Sequence, residues 1–217
     1  MKTIRLTSHD LGKPPAGDDA PRRGNRQTRI PEILDVAARL FARDGHTAFT
    51  ARRVAAEAGL RLSTLQHYFP TRDALLHATI ESLVAHYHAR FRALTEDTSL
   101  APAQQFDAVL DFTFEAFADP DTAAFWIEVW AMARHEPVAS TLDLRAYEDG
   151  TRYVETVIAR MMPSLTAEEC ALRAMLISAQ VEGLLALVRR YRDAVPDLGT
   201  LLAAMKQVCR AIAYADA

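Results

Sequence analysis

The sequence is poor in the residues that build disulfide scaffolds and zinc sites. It has 2 cysteines, Cys170 and Cys209, which lie far apart and have no histidines at ligand spacing. Such a pair makes neither a disulfide framework nor a structural zinc site. We therefore expect two buried, reduced thiols.

Long apolar runs are also missing. No uninterrupted run approaches the length of about 18 apolar residues that spans a membrane, and residues 1–27 lack the apolar segment of a secretory signal. The composition, 50% hydrophobic and 24% charged, is ordinary for a soluble globular protein. We therefore expect a cytoplasmic protein without membrane contact.

The common sequence signatures of enzymes are absent. The chain contains no G-x-G-x-x-G, P-loop, G-x-S-x-G or H-E-x-x-H pattern. His77, Glu81 and His88 fall roughly along one face of a predicted helix, but no fourth ligand is evident at a structural spacing. Because such mixtures on long helices usually face solvent, the sequence predicts no catalytic site, metal or cofactor.

The charge of the chain is unevenly distributed. The formal net charge is -3, yet residues 1–76 carry a balance of +5 and residues 77–217 a balance of -8. A basic N-terminal third joined to an acidic remainder is expected when the first part meets a polyanion. A solvated basic face explains the charge equally well on this observation alone.

Hydrophobic periodicity predicts an all-α fold. Residues 1–28 combine several prolines and glycines with charges and show no periodicity, which predicts a disordered basic arm bearing Arg22, Arg23, Arg26 and Arg29. Apolar residues then recur at helical spacing through most of the chain, with prolines and glycines at the predicted helix ends. The predicted domains are residues 29–76 and a helical body over residues 77–217.

Residues 30–69 predict a helix-turn-helix. A longer helix ends near Gly45, a second starts at the N-cap Thr50 and breaks at Gly59, and a third follows immediately. Leu65 and Phe69, four residues apart, can close a small core under the third helix. The second helix of such a motif can enter the major groove of DNA with its polar face toward the bases.

The polar residues around this motif have the chemistry of groove and phosphate contacts. An arginine fork suits guanine, a glutamine suits adenine, and hydroxyls at a helix N-terminus suit phosphates. Leu62 can touch a thymine methyl or be half-buried. The predicted DNA-contacting residues are Thr50, Arg52, Arg61, Leu62, Ser63, Thr64, Gln66, His67, Tyr68 and Arg72.

Residues 30–76 resemble the DNA-binding domain of the TetR family of transcriptional regulators. The resemblance rests on "ILDVAARLFARDGHTAFTARRVAAEAG" followed by "STLQHYFPTRDALL". It implies that Thr50, Tyr68 and Arg72 meet phosphates, and that Arg52 and residues 62–66 read bases. The chain has Arg61 where the family often has a serine cap and Ser63 where it often has glycine, so a different capping of the third helix is expected.

The body is predicted to be a bundle that binds an effector and dimerises. Residues 172–188 are apolar or small on nearly every side, so this helix must be covered around most of its circumference. In the TetR family the corresponding last two helices form a four-helix bundle with a second copy, which implies a homodimer through about residues 166–214. A helix at the centre of one large monomeric core is the alternative.

Aromatic residues of the body are candidates for a ligand cavity between helices. The segment "FWIEVWAMARHEP" resembles the effector domain of the BetI-like branch of the family. Aromatic residues at helical spacing are also ordinary core residues. The predicted ligand-contacting residues are Phe114, Phe117, Trp126, Trp130, Glu128, His135 and Tyr153.

These observations predict a sequence-specific DNA-binding regulator. By resemblance it acts as a repressor on a pseudo-palindromic double-stranded DNA operator, from which an unknown small-molecule effector releases it. A regulator without a small-molecule effector, responding to a partner protein, remains open. The rival is a helical small-molecule-binding or scaffold protein without DNA-binding activity, for which the polar face of the third helix would tolerate alanine substitution.

Overall fold

A computed structural model describes residues 26–191 and 197–215 of the chain. The described part folds into nine helices without a strand. The helices are α1 (Arg26–Ala48), α2 (Ala51–Glu57), α3 (Leu62–Tyr68), α4 (Arg72–Thr95), α5 (Pro102–Ala118), α6 (Pro120–Ala133), α7 (Pro137–Met161), α8 (Ala167–Tyr191) and α9 (Leu198–Tyr214). The all-α prediction is confirmed.

The first helix begins earlier than predicted. An arm was predicted for residues 1–28. Residues 1–25 lie outside the described part of the chain, and residues 26–28 belong to α1. Arg29, assigned to the arm's basic set, pairs with Glu32 one turn later at 2.7 Å. The prediction was wrong at this boundary because local ion pairing adds helical stability that apolar periodicity does not reveal.

The predicted helix ends depend on local capping. Five helices begin after a side chain that accepts a hydrogen bond from a backbone N–H of the first turn; the capping residues are Thr50, Thr71, Asp119, Thr166 and Asp197. At Thr166 the cap is reciprocal, since Glu169 N donates to Thr166 Oγ1 at 3.2 Å and Thr166 N donates to Glu169 Oε2 at 2.7 Å. Local sequence therefore sets these boundaries.

Two hydrophobic clusters form the core, and the first one crosses the predicted domain boundary. It joins α1, α2 and α3 to α4, α6, the start of α7 and single faces of α5 and α8. The second joins α5, the end of α7, α8 and α9, and it contains both free cysteines, Cys170 and Cys209. Burial raises the pKa of Cys209 to about 11, as expected for a buried thiol. The predicted domain boundary at residue 76 therefore does not separate two cores, because α4 runs through this position.

Helix α8 is unusually apolar. By length and composition, Ala167–Val188 could cross a membrane, and 39% of its most apolar window is buried in the fold. After Glu168 and Glu169 in its first turn, two charged side chains interrupt this stretch: Arg173 is buried and donates to Ala213 O at 2.8 Å, and Glu182 lies against a cavity. One such helix is weak evidence for a membrane span, since the core helix of a soluble protein has the same composition.

Candidate nucleic-acid interface and ligand cavity

A tight turn at Gly59 sets α3 against α2. Gly59 has a φ of 65°, in the left-handed region that favours glycine, and Leu60 N donates to Ala55 O at 2.8 Å across the turn. Leu65 is fully buried and Phe69 is 8% exposed, so these two side chains fasten the short helix to the core. The opposite face of α3 is thereby turned outward.

The outward face of α3 carries most of the predicted DNA-contacting residues. Leu62 and Tyr68 are half-buried, and Arg72 is described separately below. The remaining seven predicted residues are exposed: Thr50, Arg52, Arg61, Ser63, Thr64, Gln66 and His67. Arg61 is the N-cap of α3 and makes no side-chain cap, in agreement with the predicted departure at this position.

The arginines of this region fall into two groups. Arg43 forms bidentate contacts with Asp44 and Glu57 at 2.9–3.1 Å, and Arg53 pairs with Asp44. These arginines hold the pKa values of Asp44 and Glu57 below their usual range. Arg52 and Arg61, in contrast, have neither an ion pair nor a hydrogen bond within the described ranges, so their guanidinium groups are free for an outside partner.

Arg72, the tenth predicted DNA-contacting residue, makes its hydrogen bonds within the fold. Its Nε donates to Phe49 O at 2.8 Å and its second terminal nitrogen donates to His46 O at 2.9 Å. The guanidinium therefore braces the connection between α1 and α2 from the start of α4. The sequence could not show this, because the carbonyls it satisfies lie more than twenty residues away, at separations of 23 and 26.

A cavity lies within the body, between α4, α5, α6, α7 and α8. It is partly open to solvent and its lining is mostly apolar with a few polar groups, which suits a small organic ligand. Three predicted residues line it, namely Phe117, Trp126 and Trp130. Tyr87, Phe91 and Tyr147 complete its aromatic walls.

Four predicted ligand contacts do not line this cavity. Phe114 is 3% exposed inside the second core cluster. Tyr153 stacks on Phe91 with ring centroids 5.7 Å apart, one layer behind the lining. His135 is exposed just after α6. Helical spacing identifies residues that face inward but does not distinguish a cavity wall from solid core.

Glu128 is the fourth predicted ligand contact that does not line the cavity, and it has a different role. Its Oε2 accepts a hydrogen bond from His46 N at 3.1 Å, across 82 residues of chain. It lies beside Gly45, whose φ of 74° ends the regular part of α1. Glu128 thus connects α6 to the end of α1 and does not line the cavity.

Two acidic residues of the cavity were not predicted as ligand contacts. Asp143 on α7 and Glu182 on α8 are half-buried among the lining residues. Burial raises the pKa of Asp143, which the neighbouring Trp130 side chain partly offsets, and burial together with the charge of Asp143 raises the pKa of Glu182. For Glu182 the sequence did hold a signal, because it is the single acidic residue in the apolar segment 172–188.

The suspected metal ligands on α4 do not come together. His77 Nε2 lies 3.6 Å from Glu81, and His88 Nδ1 lies 3.7 Å from Asp149 on α7. Within residues 26–191 and 197–215, no group of three or more ligating side chains is placed to hold a metal ion.

The exposed polar face of α3 and the cavity of the body are the two candidate sites of this helix-turn-helix protein. Residues 33–79 match the family model described as "Bacterial regulatory proteins, tetR family". The chain is 25% identical over 170 residues to the transcriptional regulator BetI of Serratia proteamaculans, covering 76% of this chain and 82% of BetI. It is 28% identical over 103 residues to the transcriptional repressor KstR2 of Rhodococcus jostii, covering 48% of each.

Solved structures share the fold over nearly the whole chain. A transcriptional regulator from Saccharomonospora viridis, crystallised in complex with choline, superimposes with a TM-score of 0.69 at 20% identity, covering 88% of this chain and 98% of that one. A TetR regulator from Haloarcula marismortui superimposes with a TM-score of 0.71 at 17% identity, covering 86% and 97%. Residues 33–79 are thus a helix-turn-helix domain of the TetR type, and most of the chain is similar to transcriptional regulators that carry such a domain.

Proposed function

We propose that the protein is a dimeric repressor that binds a pseudo-palindromic operator through α3 and leaves it when a small molecule occupies the cavity of the body. The observation that carries the DNA-binding part is the set of exposed, unpaired donors and acceptors on α3 beside the free guanidinium groups of Arg52 and Arg61. Such groups are stable in water and available to a nucleic acid.

The roles of the contacts follow from their chemistry. Arg52 and Gln66 are suited to read guanine and adenine edges, while Ser63 and Thr64 fit either base. Thr50, His67 and Tyr68 border this face and are suited to hold phosphates, which fixes the orientation of α3 in the groove. Arg72 contributes by holding the turn between α1 and α2 rather than by contacting DNA.

A dimer is supported by the outer faces of α8 and α9. Both helices expose large apolar side chains beside small residues, which is costly in water and typical of an interface. The exposed large apolar residues on these two helices are Leu172, Met175, Leu176, Leu187, Val208 and Tyr214. A two-fold symmetric pairing of this surface presents two copies of α3 to successive half-sites.

The contacts of α6 suggest how a ligand changes DNA binding. Trp126 and Trp130 line the cavity, while Glu128 on the same helix accepts the His46 N–H at the end of α1. A ligand that displaces the tryptophans therefore moves the helix that holds α1. Helix α4 provides a second connection, since Tyr87 lines the cavity and Arg72 binds the α1–α2 turn. The choline-bound structural neighbour supports a small-molecule effector in such a body.

The first test is fluorescence anisotropy of the protein with duplexes tiled across the DNA that flanks its own gene, at several salt concentrations. We expect one tile to bind tightly, and Arg52→Ala and Gln66→Ala each to weaken binding to it by roughly tenfold or more. Arg145→Ala removes the same charge from an exposed site on α7 and should leave operator binding unchanged. Wild-type affinity in both α3-side variants would show that this face does not read DNA.

A further inference from the structure

We propose that Asp44 and Glu57 limit the sequence-independent binding of DNA, because they keep Arg43 and Arg53 paired within the fold. The proposal rests on the DNA-binding part of the proposed function and assigns these two carboxylates a role in specificity. Its basis is a cluster of four charged side chains, the α1–α2 ion cluster, formed by Arg43 and Asp44 near the end of α1 and by Arg53 and Glu57 on α2.

The four groups of the α1–α2 ion cluster form a connected network. Arg43 donates to the two carboxylate oxygens of Glu57 at 2.9 and 3.1 Å, and to the two of Asp44 at 2.9 Å each. Arg53 pairs with Asp44 as well and donates to Ala48 O at 3.2 Å. Bidentate geometry and a network of several charges are the conditions under which ion pairs at a protein surface persist in water. The two positive charges of the cluster are therefore matched by two negative charges in contact with them.

Pairing, and not burial, withholds the two arginines from a nucleic acid. The Arg43 and Arg53 side chains are 55% and 45% exposed, so solvent reaches both of them. Hydrogen bonds from Arg43 lower the pKa values of Asp44 and Glu57, so both carboxylates stay ionised at neutral pH. The carboxylates occupy the guanidinium donors that a phosphate group would otherwise use.

The α1–α2 ion cluster lies beside a proposed phosphate contact. Arg53 follows Arg52 in the first turn of α2, and its backbone N donates to Thr50 Oγ1 at 3.3 Å. A phosphate held at Thr50 would lie about one helical turn from Arg53, a distance that a long arginine side chain can span. Asp44 is thus a competitor of that phosphate for the Arg53 guanidinium.

The rest of the DNA-binding region is also short of free positive charge. Residues 26–76 contain no lysine. Seven arginines lie between positions 29 and 72, all of them described; five pair with a carboxylate and two, Arg52 and Arg61, do not. Because sequence-independent affinity grows with the number of phosphates that basic side chains neutralise, few free arginines keep this affinity low. The operator then competes against genomic DNA that binds the protein weakly.

The test is the salt dependence of binding to a mixed-sequence duplex, measured by fluorescence anisotropy with the full chain. Asp44→Asn and Glu57→Gln remove one charge each and keep the shape of the side chain. We expect Asp44→Asn to bind the duplex severalfold more tightly at low salt. The slope of log affinity against log salt should steepen by about 0.9 for each phosphate that is gained. Glu57→Gln should act in the same direction but less, because Arg43 keeps its bidentate contact with Asp44.

Two control variants separate the release of an arginine from a simple change of net charge. Asp44→Asn in an Arg53→Ala background should have a much smaller effect than in the wild type, since the arginine that it releases is gone. Glu148→Gln removes an equal charge from an exposed site on α7 and should leave the slope unchanged. Circular dichroism verifies that each variant is folded. If Asp44→Asn does not fold, Glu57→Gln provides the test.

Two results would overturn the proposal. One is an unchanged salt slope in the folded variants, which would make the α1–α2 ion cluster a structural clamp between α1 and α2 only. The other is an equal effect of Asp44→Asn with and without Arg53, which would attribute the change to net charge. Wild-type binding to the tiled duplexes is measured beside these variants. Tight binding to one tile then retains the regulator even if the slope is unchanged, so the two failures are distinguishable.

Discussion

The DNA-facing region and the cavity of the body use polar residues in opposite ways. On α3 and at its borders, most of the side chains proposed to contact DNA are exposed, where water can satisfy their polar groups. In the cavity, Asp143 and Glu182 are withdrawn from water and left without a basic partner. The first arrangement costs the fold little, whereas the second costs stability in the absence of a ligand. Surface recognition is thus compatible with a stable fold, and buried recognition works against it.

The two regions are nevertheless built on one core. Phe41 on α1 lies edge-to-face against Phe49 near the start of α2 and against Phe125 on α6, with centroids 5.7 and 5.3 Å apart. Glu128 adds a hydrogen bond at the same junction. The proposed mechanism therefore places at the α1–α6 junction the step by which a change in the cavity reaches the helix-turn-helix.

The largest expected effect is at this shared core. Phe41→Ala removes a fully buried ring from the junction and should lower the free energy of unfolding by about 3–5 kcal/mol, with loss of both operator and ligand binding. Urea unfolding followed by circular dichroism measures the change. Leu144→Ala, at a side chain 56% exposed, is the control and should change stability by only about 0.5 kcal/mol. If ligand binding survives in Phe41→Ala, the two regions are less coupled than their common core indicates.

A smaller effect is expected at the turn that Glu128 holds. Gly45 has a φ of 74°, and a Cβ there would stand 3.0 Å from Glu128 Oε2. Gly45→Ala should therefore lower the free energy of unfolding by about 1–2 kcal/mol and displace the Glu128–His46 bond. Thermal unfolding and operator anisotropy measure the two consequences. Gly150→Ala has no positive φ and no neighbour within 4 Å, so it should leave stability unchanged or slightly raised.

The smallest expected effect is an increase in the free energy of unfolding. Because burial raises the pKa of Asp143, the ionised form that prevails at neutral pH is less stable in the folded protein than in the unfolded chain. Asp143→Asn should raise the free energy of unfolding at neutral pH by about 1 kcal/mol or less. The gain should shrink as the pH falls toward the usual range of aspartate, where wild type is protonated in both states. An equal or lower melting temperature in the variant would show that Asp143 is stabilised by contacts in the fold.

The helices, their caps and the exposed face of α3 could be predicted from the sequence, because Thr50, Gly59 and Thr166 act on backbone groups within a few residues of themselves. The cavity was predicted only in part. Trp126 and Trp130 were found because aromatic residues at helical spacing face the interior, but Phe114 has the same pattern and lies in solid core.

The sequence alone determined the class of fold and the exposed polar face of α3, since helix periodicity, capping and tight turns are local properties of the chain. Tertiary structure decided which charged groups are free. Arg72 satisfies carbonyls at separations of 23 and 26 residues, and Glu128 binds a backbone N–H 82 residues away. The same packing placed Asp143 and Glu182 in an aromatic cavity, where no basic side chain of the described residues pairs with them. Which groups pair within the fold depends on the distances between remote parts of the chain. Packing sets these distances, and local sequence patterns do not contain them.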